Sequence, residues 1–190
     1  RNIAAWEAAE KSGGAIDAVV INASGCGTTL KDYGHMLKGD PVWAERAATI
    51  AERSKDITEI IAKLGLNPVE HPPAKDMKVA YHSACSMQHG QKITQGPKTL
   101  LELAGFEVSS PAEGHLCCGS AGTYNMTQPE LATQLGERKA GNLKNTGADI
   151  VSTGNIGCLM QIGNHGDMPV VHTAELLDWA TGGPKPDGLE

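Results

Sequence analysis

No apolar run in this chain approaches the roughly 18 residues that a bilayer-spanning helix needs. The N-terminus also lacks the basic and then apolar pattern of a secretory signal. Both absences point to a cytoplasmic protein. Positive charge is scarce as well: 16 Lys and Arg stand against 22 Asp and Glu, giving a net charge of −6. A basic surface for nucleic acid is therefore not expected. Aromatic residues make up only 4% of the chain, whereas glycine occurs 23 times, which favours small-residue packing and tight turns. No G-x-G-x-x-G follows a strand-like run, so no dinucleotide site is expected. No C-x-x-C occurs either, and that is the usual spacing of structural zinc ligands. Five cysteines in 190 residues is an odd and sparse count. It fits a reduced setting with metal-binding or redox cysteines better than a secreted disulfide framework. The chain opens at Arg1 rather than Met, which suggests a fragment or a processed chain.

Among the residues that are present, Cys117-Cys118-Gly119 is the most informative group. Neighbouring Cα atoms lie about 3.8 Å apart, whereas a disulfide usually spans about 4.4–6.8 Å between Cα atoms. The two thiols therefore bridge each other only with strain, and a shared metal or cluster is the natural partner. Gly119 lets the backbone turn sharply beside them. Cys85 precedes the pair and Cys158 follows it.

The chain also echoes itself. Residues 15–26 and 147–158, aligned on their last residue, both place an aspartate (Asp17, Asp149) nine positions before a cysteine (Cys26, Cys158). A β-rich run and a Gly-Cys pair follow in each copy. Each reads as a buried strand leading into a cysteine-bearing loop, with a helix to follow. Two related cysteine-rich units are expected, the first incomplete. Residues 1–38 would be the remnant of the first unit, 39–76 a helical connector and linker, 77–180 the second unit, and 181–190 a loose Gly/Pro-rich tail.

In the connector, Asp40-Pro41 reads as a helix start. Apolar spacing carries that helix from Ala44 to Leu64, Gly65 closes it, and His71-Pro72-Pro73 reads as a linker. Strands are expected at 78–82, 106–108, 149–153 and 169–171. Helices are expected at 93–104, from Pro129 to about Leu143, and at 173–180. This alternation predicts an α/β layered domain with a mostly parallel sheet and flanking helices.

In such folds, ligand sites collect in loops at the carboxyl ends of strands. Four thiols, from Cys85, Cys117, Cys118 and Cys158, would converge there. Backbone N–H groups near Gly119 and Gly157 could hydrogen-bond cluster sulfurs. An iron–sulfur cluster gives neighbouring sulfurs separate corners, whereas adjacent thiolates on a single zinc would be cramped. Zinc remains the alternative cofactor, and a zinc-stapled or metal-free docking module the alternative role. A third reading is thiol–disulfide catalysis at Cys117 and Cys118, which requires a low-pKa thiolate. Of the nearby histidines, His89 and His115 are the candidates to support the site. His82 and His172 read as structural hydrogen-bonding residues.

The pattern Cys85, Cys117-Cys118-Gly119, Cys158 resembles the CCG cysteine-rich domain of heterodisulfide-reductase-like and lactate- or glycolate-oxidising enzymes. Five local strings resemble the iron–sulfur subunit family of glycolate oxidase: Ala23 to Gly27, Lys31 to His35, Gln88 to Gln91, His115 to Tyr124, and Gly154 to Cys158. The resemblance covers nearly the whole chain, as the C-terminal part of such a subunit. It implies an electron-transfer subunit with an iron–sulfur cluster, 4Fe–4S for four cysteines. That subunit would relay electrons from a flavin-containing subunit, which oxidises glycolate, toward a membrane acceptor. Membrane association would come only through the complex, at the inner face. Cys26 would be a remnant ligand of the first unit. The chain departs from the general pattern at its end: where that pattern closes with C-x-x-C, Cys158 is followed by Leu159, Met160 and Gln161.

Overall fold

A computed structural model describes residues 1–70 and 77–189. The expected linker His71-Pro72-Pro73 lies outside the described residues. Two all-parallel sheets form the framework, one of two strands and one of four. The α/β class with a parallel sheet and flanking helices is as expected from the sequence.

The smaller sheet pairs β1 (Val19–Ile21) with β2 (Ser54–Asp56), in register Val19 to Ser54 and Ile21 to Asp56. It is surrounded by α1 (Asn2–Gly13), α2 (Ser24–Lys31), α3 (Tyr33–Met36), α4 (Ala44–Arg53) and α5 (Ile57–Leu64). Among these helices, Ile3, Ala47 and Ile50 form a buried cluster, with Trp6, Tyr33, Leu37 and Trp43 packed against them.

The single helix expected across 44–64 is instead two helices with β2 between them. The polar triplet Ser54-Lys55-Asp56 carries no strand-like pattern of its own, and pairing with β1 imposes the extended conformation. Asp56 then caps α5: its Oδ1 accepts from the Thr58 N–H at 2.9 Å, and the Glu59 carboxylate accepts from the Asp56 N–H at 2.8 Å. This reciprocal capping box restarts the helix at once. Asp40 does act as the expected start signal, accepting from the Val42 and Trp43 N–H groups. Segment 39–70 is therefore more than a helical connector, because it supplies a strand to the smaller sheet.

The larger sheet has the order β4-β3-β5-β6. Its strands are β3 (Lys78–Tyr81), β4 (Glu107–Ser109), β5 (Ile150–Thr153) and β6 (Val170–His172). Successive side chains on a strand face opposite ways. Val79, Tyr81, Ile150 and Val171 accordingly pack with Leu100 and Leu101 of α6 (Gly96–Leu103) and with Leu176 and Leu177 of α10 (Thr173–Ala180). Ala80 and Val151 pack on the other face, with Leu143 of α8 (Pro129–Lys144) and Ile162 of α9 (Ile156–His165). The chain leaves β3 toward β4 on one side, and β5 and β6 lie on the other. The topological switch point therefore falls between β3 and β5, where open α/β sheets leave a crevice beyond their carboxyl ends.

The tail from Thr181 was expected to be loose. Instead Leu189 is buried in the core beside α6 and α10, because a single leucine finds an apolar site that the Gly/Pro-rich composition does not advertise.

Candidate metal centre

All four strands of the larger sheet run parallel, so the segments leaving β3, β4 and β5 emerge at one edge. Cys85 follows β3 and opens a π-helical turn, Ser86–Gly90, closed by the Gln91 N–H donating to the Ser86 carbonyl at 3.0 Å. Cys117 and Cys118 lie in the loop between β4 and the short helix α7 (Tyr124–Thr127). Cys158 follows β5. The sequence places it in a loop, but it is the third residue of α9, as Cys26 is the third residue of α2. Both helices therefore begin before their cysteine, not after it. The first-turn position suits a thiolate, because helix N-termini favour negative charge.

The four sulfurs form a chain in which each sets the ionisation of the next. Cys85 faces Cys117, Cys117 faces Cys118, and Cys118 faces Cys158. Hydrogen bonds from Cys118 and Cys85 hold the Cys117 thiolate down to about 2, and the Gly119 N–H adds to this at 3.4 Å from its Sγ. The Cys118 thiol, His82 and the Asn155 amide lower Cys158 to about 5 against the effect of burial, with the Asn155 Nδ2 at 3.4 Å from its sulfur. The donors pay the opposite shift: Cys85 is raised by donating to Cys117 and by burial, and Cys118 is raised by Cys117, Cys158 and burial. Cys118 and Cys158 are buried, while Cys85 and Cys117 reach solvent.

Gly119 is needed on two counts. Its φ is +95°, and an added Cβ would lie 2.5 Å from the Ala132 carbonyl oxygen. A Cβ at Gly157 would lie 2.7 Å from the Ser120 Oγ, so the vicinal-cysteine loop and the start of α9 touch at that point. The expected supports His89 and His115 are exposed, so neither belongs to the buried side of the cluster. Exposed Cys26 stands outside the chain of coupled thiols.

Two residues with no expected role at the centre, His82 and Lys139, stand beside it. His82, 1% exposed, brings a ring nitrogen within 4.8 Å of the Cys118 and Cys158 sulfurs. Lys139, fully buried on α8, donates from Nζ to the Glu113 carbonyl at 2.8 Å. Burial lowers its pKa, while the negative charge at Cys118, Glu113, Cys117 and Cys158 favours its ammonium form. Its position was legible: it falls on the buried stripe Ala132, Gly136, Ala140, Leu143, where a lysine has no packing reason to be. Gln161, at the position of the missing last cysteine, is buried and committed elsewhere, donating to the Ala132 carbonyl at 3.1 Å and accepting from Asn125 at 3.3 Å. Glu113 accepts from Arg138 and Asn142 and so ties the cysteine loop to α8.

The two cysteine-bearing regions meet through close contacts. The Ser24 and Ser86 hydroxyls lie 2.7 Å apart, Thr28 Oγ1 donates to the Ser86 carbonyl at 2.9 Å, and the Ser24 N–H donates to the Gly154 carbonyl at 3.2 Å. Among the described residues, no helix is long and apolar enough to cross a membrane.

Comparison with known proteins bears on this geometry. Residues 79–163 match the family model described as CCG, cysteine-rich domain. The chain is 37% identical over 180 residues to the glycolate oxidase iron–sulfur subunit of Escherichia coli, covering 94% of this chain and 43% of that protein. It is 34% identical over 190 residues to the probable glycolate oxidase iron–sulfur subunit of Bacillus subtilis, covering 96% and 42%. It is 31% identical over 186 residues to lactate utilization protein A of Bacillus velezensis, covering 94% and 74%. The chain thus spans less than half the length of the two glycolate oxidase subunits. By these matches it belongs to the CCG cysteine-rich family, with relatives among glycolate oxidase iron–sulfur subunits and lactate utilization proteins A.

Proposed function

We propose that this chain is the cysteine-rich part of an iron–sulfur electron-transfer subunit in a flavin-dependent complex that oxidises glycolate or a related 2-hydroxy acid. Cys85, Cys117, Cys118 and Cys158 would hold the cluster, a four-iron cluster for four thiolates. The observation that carries this reading is the convergence of four mutually coupled thiols from three segments at the switch point of a parallel sheet. The donor set fits the group. The surroundings of Cys117 and Cys158 favour their thiolates, and thiolate is the ligand form. The Gly119 N–H and the Asn155 amide already donate to sulfur, which is how proteins tune cluster potentials. Lys139 places a buried amine beside the thiolates to offset their charge. The glycolate oxidase relatives are named iron–sulfur subunits, which supports iron–sulfur over zinc.

When bound, the cluster supplies one-electron storage. The chain's own residues fix the sulfurs, keep water from Cys118 and Cys158, and leave the Cys85–Cys117 edge open. That open edge is where an electron would enter or leave. The flavin-containing subunit and the other subunits of the complex would be the partners, with a membrane acceptor downstream. Cys26 and the smaller sheet would belong to a first, related cysteine-rich unit.

Anaerobic purification with iron, zinc and acid-labile sulfide counts and a visible spectrum tests this reading. A brown protein with several irons and matching sulfide is expected. A colourless protein holding one zinc, and taking up no iron and sulfide on anaerobic reconstitution, would contradict it. The low-pKa thiolate of Cys117 also suits thiol–disulfide chemistry, and that reading would take over if iron were absent and Cys117 cycled between thiol and disulfide.

A further inference from the structure

At the candidate centre, His82 is a buried side chain whose two ring nitrogens both lack a hydrogen-bond partner. It lies one residue past β3, and its backbone is fixed because its N–H donates to the Ser152 carbonyl at 2.8 Å. The ring is 1% exposed, yet neither Nδ1 nor Nε2 has a hydrogen-bond partner. A neutral imidazole carries one N–H donor and one acceptor. Leaving such groups buried and unsatisfied is costly. Buried polar atoms are otherwise almost always paired, and an orphan points to a missing water, ion or redox role. Here one ring nitrogen and the Cys118 and Cys158 sulfurs all lie within 4.8 Å of one another. These three donors therefore face a common space at the centre.

The alternative fifth donor is not free. Gln161 stands three residues after Cys158, but its amide is held between Ala132 and Asn125. His82 reaches the Cys118 and Cys158 sulfurs from the end of β3.

We infer that His82 is a nitrogen ligand of the metal centre, so that the donor set is four thiolates and one imidazole. The inference rests on the iron–sulfur reading above. Five protein donors on a four-iron cluster make one iron unlike the other three. Imidazole in place of thiolate also raises a cluster's potential, as in Rieske centres.

The test uses the whole chain, loaded anaerobically with ferrous iron and sulfide, grown once with 15N-histidine and once without. Pulsed EPR of the reduced cluster is expected to show a strongly coupled histidine nitrogen, and Mössbauer spectra one distinct iron. His82→Ala should keep most of its iron but lose that coupling. His82→Cys should load to the native level, lose the coupling and shift the potential downward. Native protein that binds iron and sulfide but shows no strongly coupled nitrogen would overturn the inference and leave the cluster reading intact. Failure to bind iron and sulfide would overturn the cluster reading, and the ligand with it. The native measurement decides even if the His82→Ala chain does not fold.

Discussion

Helices α2 and α9 start alike and differ in chemistry. Each follows a parallel strand, and each carries a cysteine as its third residue after a glycine, Gly25-Cys26 in one and Gly157-Cys158 in the other. Cys158 is buried and its charge is stabilised by Cys118, His82 and Asn155. Cys26 is exposed and joins no such chain. The strand–helix corner is therefore a place where a thiolate can stand, not by itself a metal site. At α9, unlike α2, other segments bring sulfurs to that corner.

Substitutions can break or sharpen this comparison. The largest effect should come from the thiols. Cys158→Ser should remove most bound iron and sulfide, whereas Cys26→Ser should leave both unchanged. Equal losses would mean that the two corners share one site.

Next come the glycines. Gly119→Ala should destabilise the fold by about 2–3 kcal/mol, because it adds a positive-φ penalty to a collision with the Ala132 carbonyl. Gly25→Ala meets nothing within 4 Å and should stabilise by about 0.5 kcal/mol, because alanine favours helix and restricts the unfolded chain. Urea unfolding of the metal-free proteins measures both, and a stable Gly119→Ala chain would sink the packing argument.

Lys139→Met keeps the side-chain volume and removes a positive charge beside the thiolates. Iron content should hold and the reduction potential should fall, since the reduced and more negative cluster loses its counter-charge. Anaerobic redox titration measures this, and an unchanged potential would mean that Lys139 only ties the Glu113 loop.

The smallest effect is kinetic. A free thiol alkylates faster as pH rises toward its pKa of about 8.5. Hydrogen bonds from Cys118 and Cys85 lower Cys117 to about 2, so it is already ionised across the working range. Its alkylation rate in metal-free protein should be flat through about pH 6–8. A rate that climbs with pH would place the thiolate elsewhere in the chain of sulfurs.

Most of the larger sheet was legible because its strands are short apolar runs bounded by turn residues, and because α8 and α10 start at clear signals, Pro129 and Thr173. The four thiols were legible as a group because each stands beyond a strand of a parallel sheet. The rest depended on tertiary contact. Strand β2 is polar and is extended only because β1 pairs with it. His82 reads as one more residue at the end of a strand until the neighbouring Cys118 and Cys158 sulfurs are in place. His89 and His115 are nearer the cysteines in sequence, but their side chains face solvent. Gln161 was recognised as a missing cysteine, but its bonds to Ala132 and Asn125 needed the fold.

The most direct test of the central claim is a paired count of iron and acid-labile sulfide, made anaerobically on the native chain and on Cys118→Ala. Cys118 sits in the middle of the coupled thiols and is 1% exposed. Several irons with matching sulfide in the native chain, and loss of most of both in Cys118→Ala, are expected. An equal count in the two proteins would contradict a cluster centred on Cys117-Cys118-Gly119.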